Sequence, residues 1–143
     1  MRKQTTGTDI MRTNKKNVFR LMREGGGYTR QEIVGHTGLS LPTVTQKLNE
    51  LVGEGLVAEV GTIGNTGGRR AITYGLVPCA HTALGLDITR NHVSAVAVDL
   101  RGIVISHIRV RRKFSATEEY TRQLGALVES FIDQSDLDRN SIL

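Results

Sequence analysis

The chain has 143 residues, enough for one medium domain or two small ones, and with 4% aromatics and no Trp its core must rest on Val, Leu, Ile and Ala. One cysteine, Cys79, excludes an intrachain disulfide and reads as a buried small hydrophobe; the four histidines lack ligand spacing, and no run approaches the ~20 apolar residues of a membrane span or the apolar core of a signal peptide. The net charge of +5 lies wholly in the first half, where residues 1–78 hold eleven Lys/Arg against six Asp/Glu while residues 79–143 hold eight against eight. These features imply a cytoplasmic protein with no metal, cofactor or membrane partner, and a first half suited to a polyanion.

Residues 1–13 show no apolar period and are expected to form a flexible arm. From Asn14 a helical pattern begins, with Val18, Leu21 and Met22 on one face, and "EGGGY" ends it at Gly25–Gly27. Thr29 followed by Glu32 is a capping box, in which hydroxyl and carboxylate each satisfy an orphan amide. It opens a second helix with Ile33 and Val34 inward and a break near Gly38. The third helix, 40–54, starts at Ser40 as N-cap with Pro42 in the first turn. Its apolar side is Val44, Leu48, Leu51 and Val52, and Gly55 suits the left-handed residue that follows. The runs "LVAEVGTI" and "AITYGLV", separated by "GNTGGRR", read as a β-hairpin. Three short helices and such a hairpin over 14–77 make a winged helix-turn-helix.

Pro78 marks a boundary. Beyond it, 82–88, 92–100 and 102–110 read as strands, with a hairpin link at Arg101–Gly102. A helix over about 117–134 carries Tyr120, Leu124, Leu127, Val128, Phe131 and Ile132 as its apolar stripe, and "DQSDLDRNSIL" trails off. The whole is an α+β chain with a second domain over 78–143.

The polar side of the third helix carries Pro42, Thr43, Thr45, Gln46 and Asn49. An α-helix fits the major groove of B-DNA, where Asn and Gln can pair with adenine edges and Thr can hydrogen-bond or touch a thymine methyl. Charged pairs would solubilise such a face without reading bases, so base readout is the expected role of these five residues. Thr29, Arg30, Gln31, Ser40 and Lys47 are expected at the backbone, where contacts set register. Gly67 and Gly68 let the wing (61–70) approach closely, and Arg69 and Arg70 suit a minor groove or phosphates. A nucleotide-phosphate cradle at this turn lacks the GxxxxGK[ST] spacing and a helix N-terminus behind it.

The succession "NKKNVFRLMREGGGYTRQEIVGHTGLSLPTVTQKLNELVGEGLVAEVG", "GGRRAITYGLVP" and "ALGLDITRNHVSAVAVDLRGIVI" resembles the ROK family (repressors, open reading frames, kinases) over about Asn14 to Ile105. In its repressor branch a MarR-like winged helix precedes a sugar-kinase-like domain. The resemblance implies a sugar-responsive transcriptional regulator, a repressor of sugar-metabolism genes that is usually a dimer or tetramer and binds double-stranded operator DNA; a homodimer is expected here. It also implies a partial actin-like, ribonuclease-H-like second domain of three strands and one helix. A sugar or sugar-phosphate effector would be bound only by the full-length protein.

The family's kinases carry a phosphate-binding Gly-x-Asp-x-Gly-Gly-Thr after the first strand of that domain. Here Gly85 and Asp87 match, while Thr89-Arg90-Asn91 replaces Gly-Gly-Thr and fills with side chains the space where backbone must approach a nucleotide. Gly85, Asp87 and Thr89 thus mark a vestigial phosphate loop, and no ATP cofactor is expected. The family's sugar-binding residues, catalytic Asp and zinc-binding His/Cys cluster lie downstream, so the chain reads as truncated. Its uncovered strands favour association with a second copy. The alternatives are a ROK sugar kinase with an accessory domain, which the missing glycines oppose, and a winged helix that binds protein instead of DNA.

Overall fold

The computed structural model describes residues 7–64 and 70–143, which form two compact units, Met1–Val77 and Pro78–Leu143.

In the first unit α1 spans Gly7–Arg23. It begins well before Asn14, so residues 7–13 are helix and no loose arm; residues 1–6 lie outside the described residues. Ile10 and Met11 stay exposed, so no core period betrays this extension. Asp9 in the first turn, near the positive helix end, and the helix formers Met11 and Arg12 favour it instead. After the glycine turn come β1 (Tyr28–Thr29) and α2 (Arg30–Thr37). The capping box at α2 is formed: Thr29 N–H donates to Glu32 Oε2 at 2.7 Å, and Glu32 N–H donates to Thr29 Oγ1 at 3.2 Å. These bonds from the Thr29 amide and then its hydroxyl hold the Glu32 carboxyl below its ordinary range. Gly38 caps the other end at φ 67, a left-handed backbone that a side chain would strain.

Helix α3 (Leu41–Gly53) starts from Ser40, whose Oγ accepts the Thr43 N–H, and Gly55 follows it at φ 72. The ladder β2 (Val57–Ile63) and β3 (Ala71–Leu76) is antiparallel with a bulge between Glu59 and Gly61, and β1 pairs with the other side of β3. The core is Val18, Leu21, Met22, Ile33, Val44, Leu48, Leu51, Val57 and Tyr74. Each fully buried Val or Leu contributes about 1.5–3 kcal/mol. Val52 departs from its expected place and is 40% exposed, while Lys47 is buried. Helical geometry explains both, since Lys47 lies about 60° and Val52 about 80° from Val44, on opposite flanks of the buried side.

The second unit is an antiparallel sheet, β4 (Ala83–Ile88), β5 (His92–Val98) and β6 (Val104–Arg111), in that order, followed by α4 (Glu118–Gln134). Phe131 of α4 buries against Ala95 and Ala97 of the central strand. The chain beyond α4 does not trail off. Asp138 caps a 3-10 turn at Arg139–Ser141, and Ile142 forms a parallel bridge with Thr82, where the Thr82 N–H donates to the Ser141 carbonyl at 2.9 Å. Cys79 is exposed, not buried, because it sits in the 3-10 turn Pro78–Ala80.

The β5–β6 turn is organised by buried Asp99, whose Oδ1 accepts the N–H of Arg101 and of Ile103, each at 2.9 Å, and whose Oδ2 accepts Arg101 Nε at 3.1 Å. Burial pushes this carboxyl up, but the Ile103 amide, the Arg101 guanidinium and the Arg101 amide together hold it below the usual Asp value. A lowered folded-state pKa contributes stability that is complete above the unfolded value near ~3.9 and is lost as pH falls through the folded one. Thermal melts between neutral and strongly acidic pH should therefore show a loss in the second unit that Asp99→Asn makes shallower. An unchanged acid profile in that variant would contradict the assignment.

Candidate nucleic-acid interface

Nine of the residues expected to meet DNA lie at the start of α2 or on the cap and polar side of α3. Pro42, Gln46 and Asn49 are exposed on α3, and Thr43 and Thr45 are half-buried beside them. The Thr43 and Ser40 hydroxyls lie 2.9 Å apart, so both serve the cap as well as the surface. Ser40 itself is exposed. The helix thus offers two free amide side chains flanked by hydroxyls, a set able to donate and accept along base edges.

Beside this helix lies a groove of about 380 Å³ lined by Thr29, Arg30, Gln31, Leu41, Arg70, Ala71 and Ile72. It gathers the start of α2, the first residue of α3 and the start of the returning wing strand. Four residues expected at the DNA backbone, Thr29, Arg30, Gln31 and Arg70, meet here. Gly67, Gly68 and Arg69 lie outside the described residues.

Lys47 is a correction. Its side chain is buried and Nζ donates to Glu50 Oε1 at 2.7 Å, so the cation is committed within the helix instead of facing a phosphate. The same bond occupies Glu50, which would otherwise repel a polyanion. The helical wheel already carried the signal, since Lys47 flanks Val44 on its buried side.

One participant escaped the sequence reading. Tyr74, 3% exposed, places its ring 4.7 Å from the Arg30 guanidinium carbon. Strand alternation marks Tyr74 as a strand residue, but only the register Tyr28↔Tyr74 and Thr29↔Thr73 brings it to Arg30.

In the second unit the residues expected to form a vestigial phosphate loop lie in β4 and in the closed turn that follows it. Thr89 Oγ1 donates to the His92 carbonyl at 3.0 Å and accepts the His92 N–H at 3.1 Å. Gly85 and Asp87 are ladder residues opposite Val96 and Ser94. Among the described residues no group of His, Cys, Asp and Glu could hold a metal, and no helix is long and apolar enough to cross a membrane.

A family model described as winged helix-turn-helix DNA-binding matches residues 11–58. A solved structure described as a ROK family transcriptional regulator, homolog of the E. coli MLC protein, superposes with a TM-score of 0.68 at 19% identity, covering 93% of this chain and 34% of that one. The two chains share a fold over that matched part. Curated relatives match most of this chain as well. The xylose repressor of Bacillus subtilis (strain 168) is 26% identical over 128 residues, 89% of this chain and 33% of the relative. The xylose repressor of Bacillus spizizenii is 29% identical over 98 residues, 68% and 26% respectively. The DNA-binding transcriptional dual regulator NagC of Escherichia coli (strain K12) is 29% identical over 126 residues, 87% and 30%. The chain therefore spans between about a quarter and a third of the relatives it matches. These relatives carry the names of repressors and of a regulator, and residues 11–58 of this chain match the winged helix-turn-helix DNA-binding model.

Proposed function

We propose that the chain is the DNA-binding part of a cytoplasmic repressor of sugar-metabolism genes, acting as a homodimer, with a sugar or sugar-phosphate effector sensed by the full-length protein. Helix α3 enters the major groove, where Pro42, Thr43, Thr45, Gln46 and Asn49 read bases. Thr29, Arg30, Gln31, Ser40, Arg70 and the wing glycines and Arg69 meet the backbone or minor groove. The observation that carries this reading is the juxtaposition of the exposed amides Gln46 and Asn49 with a groove that holds Arg30 and Arg70 and no acidic lining. The ROK kinase alternative loses because its phosphate loop is a side-chain-closed turn here.

Selection of bound fragments from a genomic DNA pool should recover a defined operator. On it, Gln46→Ala or Asn49→Ala should relax preference at one or two positions by about 1–3 kcal/mol each. Arg70→Ala should weaken operator and random duplex alike. Equal losses on both duplexes for all three variants would overturn this division of roles. For the homodimer, sedimentation should show a dimer at micromolar concentration, and a monomer there would remove that part of the proposal.

A further inference from the structure

Arg30 is half-buried, yet its guanidinium has no hydrogen-bond or ion-pair partner among the described residues, and its Nε is fully shielded from solvent. A shielded cation without an anion is costly. Its setting adds to that cost. It lies in the first turn of α2, near the positive helix end, and it shares the groove with Arg70. The nearest sequence carboxylate, Glu32, is committed to the amide and hydroxyl of Thr29. What holds Arg30 is the Tyr74 ring, over which the guanidinium lies at 4.7 Å. A planar guanidinium can stack on an aromatic face and still present N–H donors at its edge. The ring is rigid: Tyr74 belongs to the core and sits in the central strand, paired with Tyr28 on one side and Glu59 on the other.

We propose that Tyr74 is a positioning residue for DNA, its ring holding the Arg30 guanidinium so that the outer edge of the fork takes one backbone phosphate at the mouth of the groove. This rests on the DNA-binding reading above and deepens it. The stack fixes the arginine before DNA arrives, so less side-chain freedom is lost on binding. Tyr74 itself touches no DNA.

The test is fluorescence anisotropy on a labelled mixed-sequence duplex of roughly two helical turns, over a series of salt concentrations, at a temperature where melts show each variant folded. Arg30→Ala should reduce the slope of log affinity against log salt by about one per bound protomer. Tyr74→Leu should weaken binding roughly 3- to 10-fold, whereas Tyr74→Phe, which keeps the ring, should bind as the wild type does. In an Arg30→Ala background Tyr74→Leu should add no further loss. Arg30→Lys, which needs no change in the core, should keep the salt slope but bind more weakly, because an ammonium neither stacks nor forks. The proposal is overturned if Tyr74→Leu costs the same factor with and without Arg30, or if Arg30→Lys matches the wild type in affinity. Failure of the wild-type chain to bind any duplex would instead remove the DNA-binding reading itself.

Discussion

Raising monovalent salt from about 50 to about 200 mM should weaken duplex binding by roughly 10²- to 10³-fold, the result of releasing counterions from about four to six phosphates. Those contacts would come from two protomers, each setting two or three cations on the backbone. Arg30 and Arg70 share one groove that no carboxylate lines, and Arg69 precedes Arg70 in the sequence. Two other cations of the first unit are already committed, Lys47 to Glu50 and Lys15 to Glu54, so the full excess of positive charge does not count towards the slope. The measurement is a titration at several salt concentrations on one fixed duplex. A near-flat dependence would mean that affinity does not come from phosphates, and the proposed role of the groove would fall with it.

The elements of the first unit were legible because their ends are written in local chemistry. Thr29 with Glu32, Ser40 with Pro42, and the glycines 38 and 55 each satisfy or release backbone groups over a few residues, and all stand where expected. The start of α1 was not legible, since Ile10 and Met11 face solvent and leave no period to read. Strand β1 is two residues long and carries no alternation at all. For the interface, the exposed side of α3 followed from the helical wheel, and so did the burial of Lys47 once its place beside Val44 is weighed above its charge. The Arg30–Tyr74 stack is of another kind. It joins residues 44 positions apart through strand register, and nothing local in either segment specifies that register. In the second unit the parallel bridge of Ile142 with Thr82 is equally non-local.

Leu48→Ala and Phe131→Ala should produce the largest losses of stability, each confined to one unit. Leu48 is wholly buried among Val44, Leu51, Ile33 and Met22, and its truncation removes transfer energy and leaves a cavity, about 2–5 kcal/mol in all. A unit of this size has only about 5 kcal/mol or so to lose, and each kcal/mol moves the midpoint by about 4–8 °C. The first transition should therefore fall by tens of degrees, and DNA binding should disappear with it, although Leu48 touches no DNA. Phe131 is 2% exposed between α4 and the central strand of the second sheet, against Ala95 and Ala97. The small residues opposite cannot refill the space, so about 3–5 kcal/mol is expected there. If residues 14–77 and 78–143 are separate domains, as we propose from the boundary at Pro78, calorimetry should resolve two transitions. Leu48→Ala should then lower one and Phe131→Ala the other. A single transition shifted alike by both substitutions would make the chain one cooperative unit, and the wing strand would then owe its stability to residues far beyond Val77.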